Sequence, residues 1–221
     1  MELIVMLTYN DFTVENATEV FEACRASRAR YWGFKEHPLP LEQMKSLFGE
    51  MRREGKTTFL EVVAYSEEEG LAGARMAAEC GCDILMGTCF HDSILDYCRE
   101  HGLRYMPFVG RVSGRPSVLE GGIDEMIAEA RSYIAKGAYG IDLLGYRYTG
   151  DAALLSREMV RRVPAPVCIA GSIDSYERLD EVKQAAPWAF TIGSAFFEGC
   201  FGGSVSEQID KVCEYIKRPA L

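Results

Sequence analysis

The stretch PVCIAGSIDSYERLDEVKQAAPWAFTIGSAFFEG, residues 166–199, decides the fold. Two short apolar runs, 166–171 and 188–193, flank a segment of helix length at 174–186. Both runs are nearly continuous rather than alternating, the pattern of parallel strands covered by helices. Each ends in a glycine and a serine, Gly171-Ser172 and Gly193-Ser194. The unit therefore reads as strand, helix, strand, with both strands running the same way and stopping at the same kind of turn.

The joint KQAAPWAFTIG (183–193) has weaker copies upstream, AAECGCDILMG (77–87) and IAKGAYGIDLLG (134–145). In each, a small-residue helix end leads into an apolar run that ends in glycine. Followed outward, the alternation covers the chain. Strands are expected at 2–8, 30–35, 58–64, 83–88, 104–109, 139–145, 166–171 and 188–193. Helices are expected at 14–26, 40–54, 67–80, 92–101, 123–136, 151–162, 174–186 and 204–217. Thr13, Ser66, Asp92, Asp151 and Asp174 stand where an N-cap oxygen is useful, and Pro40 suits a first helical turn. Gly55, Gly81, Gly102 and Gly137 follow helices, where a left-handed residue is commonly required. Eight β–α units in 221 residues, with almost no linker, give an α/β chain: one (β/α)8 TIM barrel spanning 1–221. A doubly wound open sheet would carry a glycine-rich turn after its first strand, and LTYNDFT (7–13) has no glycine.

Composition narrows the partners. A formal charge of −9 disfavours nucleic acid and anionic membrane but leaves room for a small anion at a local site. The beginning of the sequence, MELIVMLTYNDF, lacks the basic segment and longer apolar run of a signal peptide, and no run reaches the ~20 apolar residues of a membrane span. None of the eight cysteines forms a CxxC or zinc-finger spacing. A cytoplasmic protein with reduced, mostly buried thiols is expected.

In such a barrel the chemistry sits at the C-terminal ends of the strands. There the two Gly-Ser turns stand side by side, on the last two strands. Glycine lets backbone approach an anion closely, and successive N–H groups form a cradle for phosphate oxygens. A short helix in AFFEG (195–199) would add its own N-terminal amides. IAGSID (169–174) and TIGSAFFEG (191–199) resemble the phosphate-binding ends of the ribulose-phosphate-binding superfamily of barrels. That group includes sugar-phosphate epimerases, synthases and decarboxylases, together with the histidine and tryptophan biosynthetic barrels. The resemblance implies phosphate donors at Gly171, Ser172, Gly193 and Ser194, and a small phosphorylated metabolite as partner. It identifies no subfamily: no strand interior carries a histidine, an Asp-x-Lys-x-x-Asp strand is missing, and Ala170 stands where the acetylmannosamine-phosphate epimerases have a glutamate. The glycerol-operon antiterminator regulators, with a similar barrel, add a non-enzymatic member. Barrels of this kind often dimerise, so a homodimer is a further expectation.

Three charged residues interrupt apolar strands and form the expected catalytic set. Lys35 ends the second strand in WGFKEHP, Glu61 interrupts TFLEVVA, and Asp142 interrupts YGIDLLG. A carboxylate is rarely buried unless paired, so Glu61 is expected to meet Lys35 from the adjacent strand. Together the three suit proton transfer beside a carbonyl, the chemistry of an epimerase or isomerase. Alternatives are a phospho-sugar aldolase or decarboxylase, for which a Lys35 Schiff base is one route, and a regulatory barrel that only binds its ligand. No cofactor is required by this reading. Glu61, Asp142 and His91 could hold a divalent metal, but their spacing does not demand one. Cys89 and His91 in GTCFHD are a candidate thiolate–imidazole pair, with the bland alternative of a buried cysteine and a capping histidine. GRVSGRPSVLEGG (110–122) reads as a mobile lid, from which Arg111 or Arg115 could clamp a second anionic group; Arg147 in GYRYTG occupies a similar place.

Overall fold

The computed structural model describes residues 1–218. Eight parallel strands alternate with helices: β1 Glu2–Met6, β2 Tyr31–Lys35, β3 Thr57–Val62, β4 Ile84–Gly87, β5 Arg104–Met106, β6 Ile141–Leu143, β7 Val167–Ile169 and β8 Ala189–Ile192. Each strand except β5 pairs with the next in sequence, and β8 pairs with β1. The remaining gap, between β5 and β6, is bridged by the Tyr139 N–H to the Tyr105 carbonyl (2.9 Å) and the Asp142 N–H to the Pro107 carbonyl (3.0 Å). The result is the TIM barrel that the sequence pattern predicts.

Side chains alternate across the strands as a barrel requires. Leu3, Val5, Trp32, Phe34, Leu60, Leu85, Ile141, Leu143 and Phe190 point outward into the layer beneath the helices. Ile4, Met6, Phe59, Ile84, Met86, Met106, Cys168 and Ala189 fill the interior. Lys35, Glu61 and Asp142 share the inward parity of that second set, so each is a charge placed where the barrel otherwise holds hydrocarbon.

The helices are α1 Ala17–Cys24, α2 Leu41–Arg53, α3 Glu67–Cys80, α4 Asp92–Glu100, α5 Ile123–Lys136, α6 Ala152–Arg162, α7 Tyr176–Ala185, the single turn α8 Ser194–Phe197, and α9 Val205–Tyr215. Ser66 and Ser204 form capping boxes, and Asp151 and Ser175 cap α6 and α7. Gly55, Gly81, Gly102 and Gly137 take φ between +67° and +112° just past their helices. None of the described helices is long and apolar enough to cross a membrane. All eight cysteines are free thiols.

Two segments differ from the sequence expectation, and both flank the mouth of the barrel. Helix α1 starts at Ala17 rather than residue 14, because Thr8–Tyr9 and Phe12–Thr13 form an antiparallel hairpin. Thr13 serves that hairpin instead of a helix: its hydroxyl donates to the Lys35 carbonyl (2.7 Å) and accepts from the Lys35 N–H (2.9 Å). The stretch expected as a mobile lid is likewise a hairpin, Arg111–Ser113 against Val118–Glu120. It is tied down by Tyr65, whose hydroxyl donates to the Gly114 carbonyl (2.6 Å) and meets Ser117 Oγ (2.8 Å).

Candidate functional site

Register brings the first pair together: Lys35 on β2 lies directly opposite Glu61 on β3. Lys35 Nζ stands 3.2 Å from Glu61 Oε1 and donates a hydrogen bond to Asp11 Oδ1. Asp11 arrives from the first hairpin, whose two-residue loop Asn10-Asp11 has φ of 48° and 70°. Both central residues of the tightest hairpin turns need positive φ, which Asn and Asp adopt more readily than other side chains. The same requirement that closes the hairpin thus aims a carboxylate at Lys35. Arg115, from the second hairpin, donates to Glu36 Oε1 (2.9 Å) and lies 3.9 Å from Asp11 Oδ2.

The cluster is buried, with Lys35 7% and Glu61 6% exposed, so its protonation states are set by competition. Burial alone would push the Lys35 ammonium down. The charges and hydrogen bonds of Glu61 and Asp11 outweigh it, and its pKa lies above the ordinary lysine value. Glu61 is raised above the usual carboxylate range, first by burial and then by the charges of Asp11 and Glu36, with Lys35 pulling the other way.

The two Gly-Ser turns form the opposite wall of the same cavity, which has a volume of about 400 Å³. Gly171 and Ser172 both have positive φ, 92° and 45°, and Gly193 immediately precedes α8. The backbone N–H groups of Gly171, Ser172, Gly193 and Ser194 donate to no other backbone group among the described residues. Ser194 Oγ accepts from the Asn10 N–H (3.1 Å), which leaves its own hydrogen free to donate. Arg147 lies against Gly171, where an added Cβ would meet its Cγ at 2.8 Å. Arg147, Lys35 and Glu61 all line the cavity with the four turn residues.

Other residues expected at the site stand elsewhere. Asp142 is wholly buried on β6, level with Cys168 of β7, and does not line the cavity. Neither of its oxygens has a hydrogen-bond partner among the described residues. Burial, and then the charge of Glu61, push its pKa well above the ordinary value. Arg111 is exposed on its hairpin and away from the cavity; Arg115, four residues on, is the arginine that reaches the cluster. His91 is the N-cap residue of α4, 3.9 Å from Glu67 Oε2, and is also outside the cavity. Burial pushes the Cys89 thiol up, away from thiolate character, and no hydrogen bond joins Cys89 to His91. Among the described residues no group of three or more His, Cys, Asp or Glu side chains is placed to hold a metal ion.

Sequence reasoning places Asp11 and Glu36 just after the first two strands, at the end that carries the chemistry, but assigns neither a role, and it passes over Asn10. The Asn-Asp dipeptide between short β-prone pairs was the available signal for Asn10 and Asp11. For Glu36 the signal was only its place after the second strand, since its partner lies 79 residues away on the second hairpin.

Searches against family models and against curated proteins find no match to this chain. Solved structures do match. Orotidine 5′-phosphate decarboxylase from Pyrococcus horikoshii OT3 superposes with a TM-score of 0.69 at 13% identity, over 98% of this chain and 99% of that one. The 4-hydroxy-2-oxoglutarate aldolase/2-deydro-3-deoxyphosphogluconate aldolase from TTHB1 gives 0.66 at 14%, over 97% and 92%. The tryptophan synthase alpha chain from Legionella pneumophila subsp. pneumophila gives 0.66 at 14%, over 98% and 91%. Identities this low show a shared fold.

Proposed function

We propose that this chain is an enzyme that moves a proton next to the carbonyl of a small phosphorylated sugar or sugar acid, as an epimerase or isomerase. The observation that carries the reading is one cavity with two unlike walls: free backbone amides at both Gly-Ser turns, and a buried Lys35–Glu61 pair facing them. Amides at Gly171, Ser172, Gly193 and Ser194 hold the phosphate, and Arg147 supplies positive charge beside them. Glu61 takes the proton from the carbon next to the carbonyl. Its raised pKa brings it closer to the value a base needs near neutral pH. The Lys35 ammonium, held charged by two carboxylates, stabilises the oxyanion of the enolate. Return of the proton from Glu61 to the neighbouring carbon completes an isomerisation; delivery of a solvent proton to the other face of the enolate, with the abstracted proton passing from Glu61 to solvent, completes an epimerisation.

The charged state of Lys35 argues against a Schiff base, which needs the neutral amine as nucleophile. A lyase that uses the same enolate without a covalent step is the second reading. It is favoured by the names of two barrels of this fold, a phosphogluconate aldolase and an orotidine 5′-phosphate decarboxylase, both of which denote phosphorylated substrates.

The test is solvent-deuterium exchange, followed by proton NMR, across a panel of ketose and aldose phosphates. Exchange or epimerisation that falls about 10²- to 10⁴-fold in Glu61→Gln supports the reading. Cleavage or loss of CO₂ selects the lyase. Tight binding with no turnover of any panel member selects a binding protein.

A further inference from the structure

Five polar residues are buried along the cavity: Thr8, Lys35, Glu61, Ser117 and Thr191. Three of them are answered from within the protein. Lys35 and Glu61 pair with each other, and the Ser117 hydroxyl meets the Tyr65 hydroxyl. Thr8 and Thr191, 7% and 8% exposed, have no side-chain hydrogen-bond partner among the described residues. Ser27 and Ser156 are also buried and unpartnered, but their hydroxyls are sealed inside the packing. The two threonine hydroxyls are not sealed, and the surface they keep opens on the cavity. Thr8 follows β1, the strand between β8, which leads into Gly193-Ser194, and β2, which carries Lys35. A β-carbon added at Gly193 would collide with Thr8 Oγ1, so that hydroxyl lies against the cradle. Met6 is opposite Gly33, which puts Thr8 and Lys35, two residues further along each chain segment, at the same level. Thr191, on β8 two residues before Gly193, is opposite Ile4 and lies deeper in the barrel.

We infer, resting on the phosphate reading above, that Thr8 and Thr191 determine specificity along the path from the phosphate to the reacting carbonyl. Each hydrogen-bonds a ligand oxygen there, so the substrate carries hydroxyls on the first carbons beyond its phosphate ester. A threonine hydroxyl offers one donor and two acceptor lone pairs, which suits a hydroxyl on the ligand. Once a ligand fills the cavity, its own oxygens must replace water at both threonines. A chain of bare methylenes leaves the two hydroxyls desolvated and unpaired. That is the penalty by which a hydrogen-bonding site rejects an analogue lacking one polar group. The assignment selects a phosphate ester hydroxylated next to its phosphate over one with an apolar or deoxygenated linker.

Thermal shift titrations with glycerol 3-phosphate and n-propyl phosphate test the inference, with inorganic phosphate as the reference. The two esters share a carbon skeleton and a phosphate, and only the first carries hydroxyls. The expected result is glycerol 3-phosphate binding at least about tenfold tighter, equivalent to ~1.4 kcal/mol. Thr8→Val and Thr191→Val keep the branched shape and remove the hydroxyl, and each should shrink that ratio by about threefold or more. Thr8→Ser and Thr191→Ser retain the hydroxyl and should preserve it. Because both esters are measured on the same protein, a change in overall stability cancels from the ratio. Three results overturn the inference and leave the cradle standing: equal affinities in the wild-type protein, inorganic phosphate that binds while neither ester does, or a preference that survives both valine substitutions. Absence of a shift with every phosphate, the inorganic ion included, overturns the cradle and the inference with it.

Discussion

Asp142 and Lys35 are both inward-facing charges on the barrel wall, yet their surroundings assign them opposite consequences for stability. Lys35 is compensated on two sides, so removing it strands Asp11 and Glu61. Lys35→Met is expected to cost about 3–5 kcal/mol in chemical denaturation, the range for breaking a buried pair from one side. Asp142 has no hydrogen-bond partner among the described residues and a pKa raised well above 3.8. Its folded form therefore holds a proton more tightly than its unfolded form. The sign follows: wild-type stability attributable to Asp142 is full below pH 3.8 and declines as pH rises towards the folded value. Asp142→Asn, a neutral near-isostere, should match wild type at about pH 3.5 and exceed it at neutral pH, by ~1.4 kcal/mol for each unit of the raised pKa traversed. Urea denaturation across that range checks it. A variant less stable than wild type at neutral pH would mean that Asp142 is ionised and paired in the folded protein.

At the scale of elements, the two hairpins decide whether the cavity is an open mouth or a shaped site. The second hairpin is latched by the Tyr65 hydroxyl to Gly114 and Ser117 and by Arg115 to Glu36. Tyr65→Phe removes two hydrogen bonds while keeping the ring, at a cost near ~1 kcal/mol each. The loss should appear as faster amide exchange confined to residues 111–120, with exchange in the barrel strands unchanged. Uniformly faster exchange across the molecule would show that the hairpin is part of the global folding unit rather than a separately opening flap. These elements are also where the sequence was least legible. The eight strands and their helices announce themselves through apolar runs, caps and left-handed glycines, because each is repeated and each buries hydrocarbon. A hairpin strand of two or three residues, such as Phe12–Thr13 or Arg111–Ser113, buries little and has no period to detect. Its geometry is set by a turn dipeptide and by partners distant in sequence. Glu61 opposite Lys35 could be anticipated from adjacent strands; Arg115 on Glu36, which depends on how a hairpin folds back, could not.

At the scale of the whole molecule, the barrel separates its tasks along its axis. Tyr31, Phe59, Trp188 and Tyr139 make edge-on and tilted ring contacts at 5.8–6.4 Å towards the N-terminal ends of the strands, with the Arg104 guanidinium 5.2 Å over the Tyr139 ring. The C-terminal ends carry the cradle, the ion cluster and both hairpins. At these ends the cavity is lined by the amides and hydroxyls of the two Gly-Ser turns, with Arg147, Asp174 and Glu198 beside them. The central claim is that this cradle binds phosphate, and a thermal shift comparison of sugar phosphates with their unphosphorylated parents tests it most directly. At a ligand concentration 100 times Kd the expected stabilisation is about 2.7 kcal/mol. The account predicts a shift for phosphorylated members only, lost in Gly171→Val, where a β-carbon would press on Arg147 at a φ of +92°. Equal shifts from the unphosphorylated parents, or shifts that survive that substitution, would contradict it.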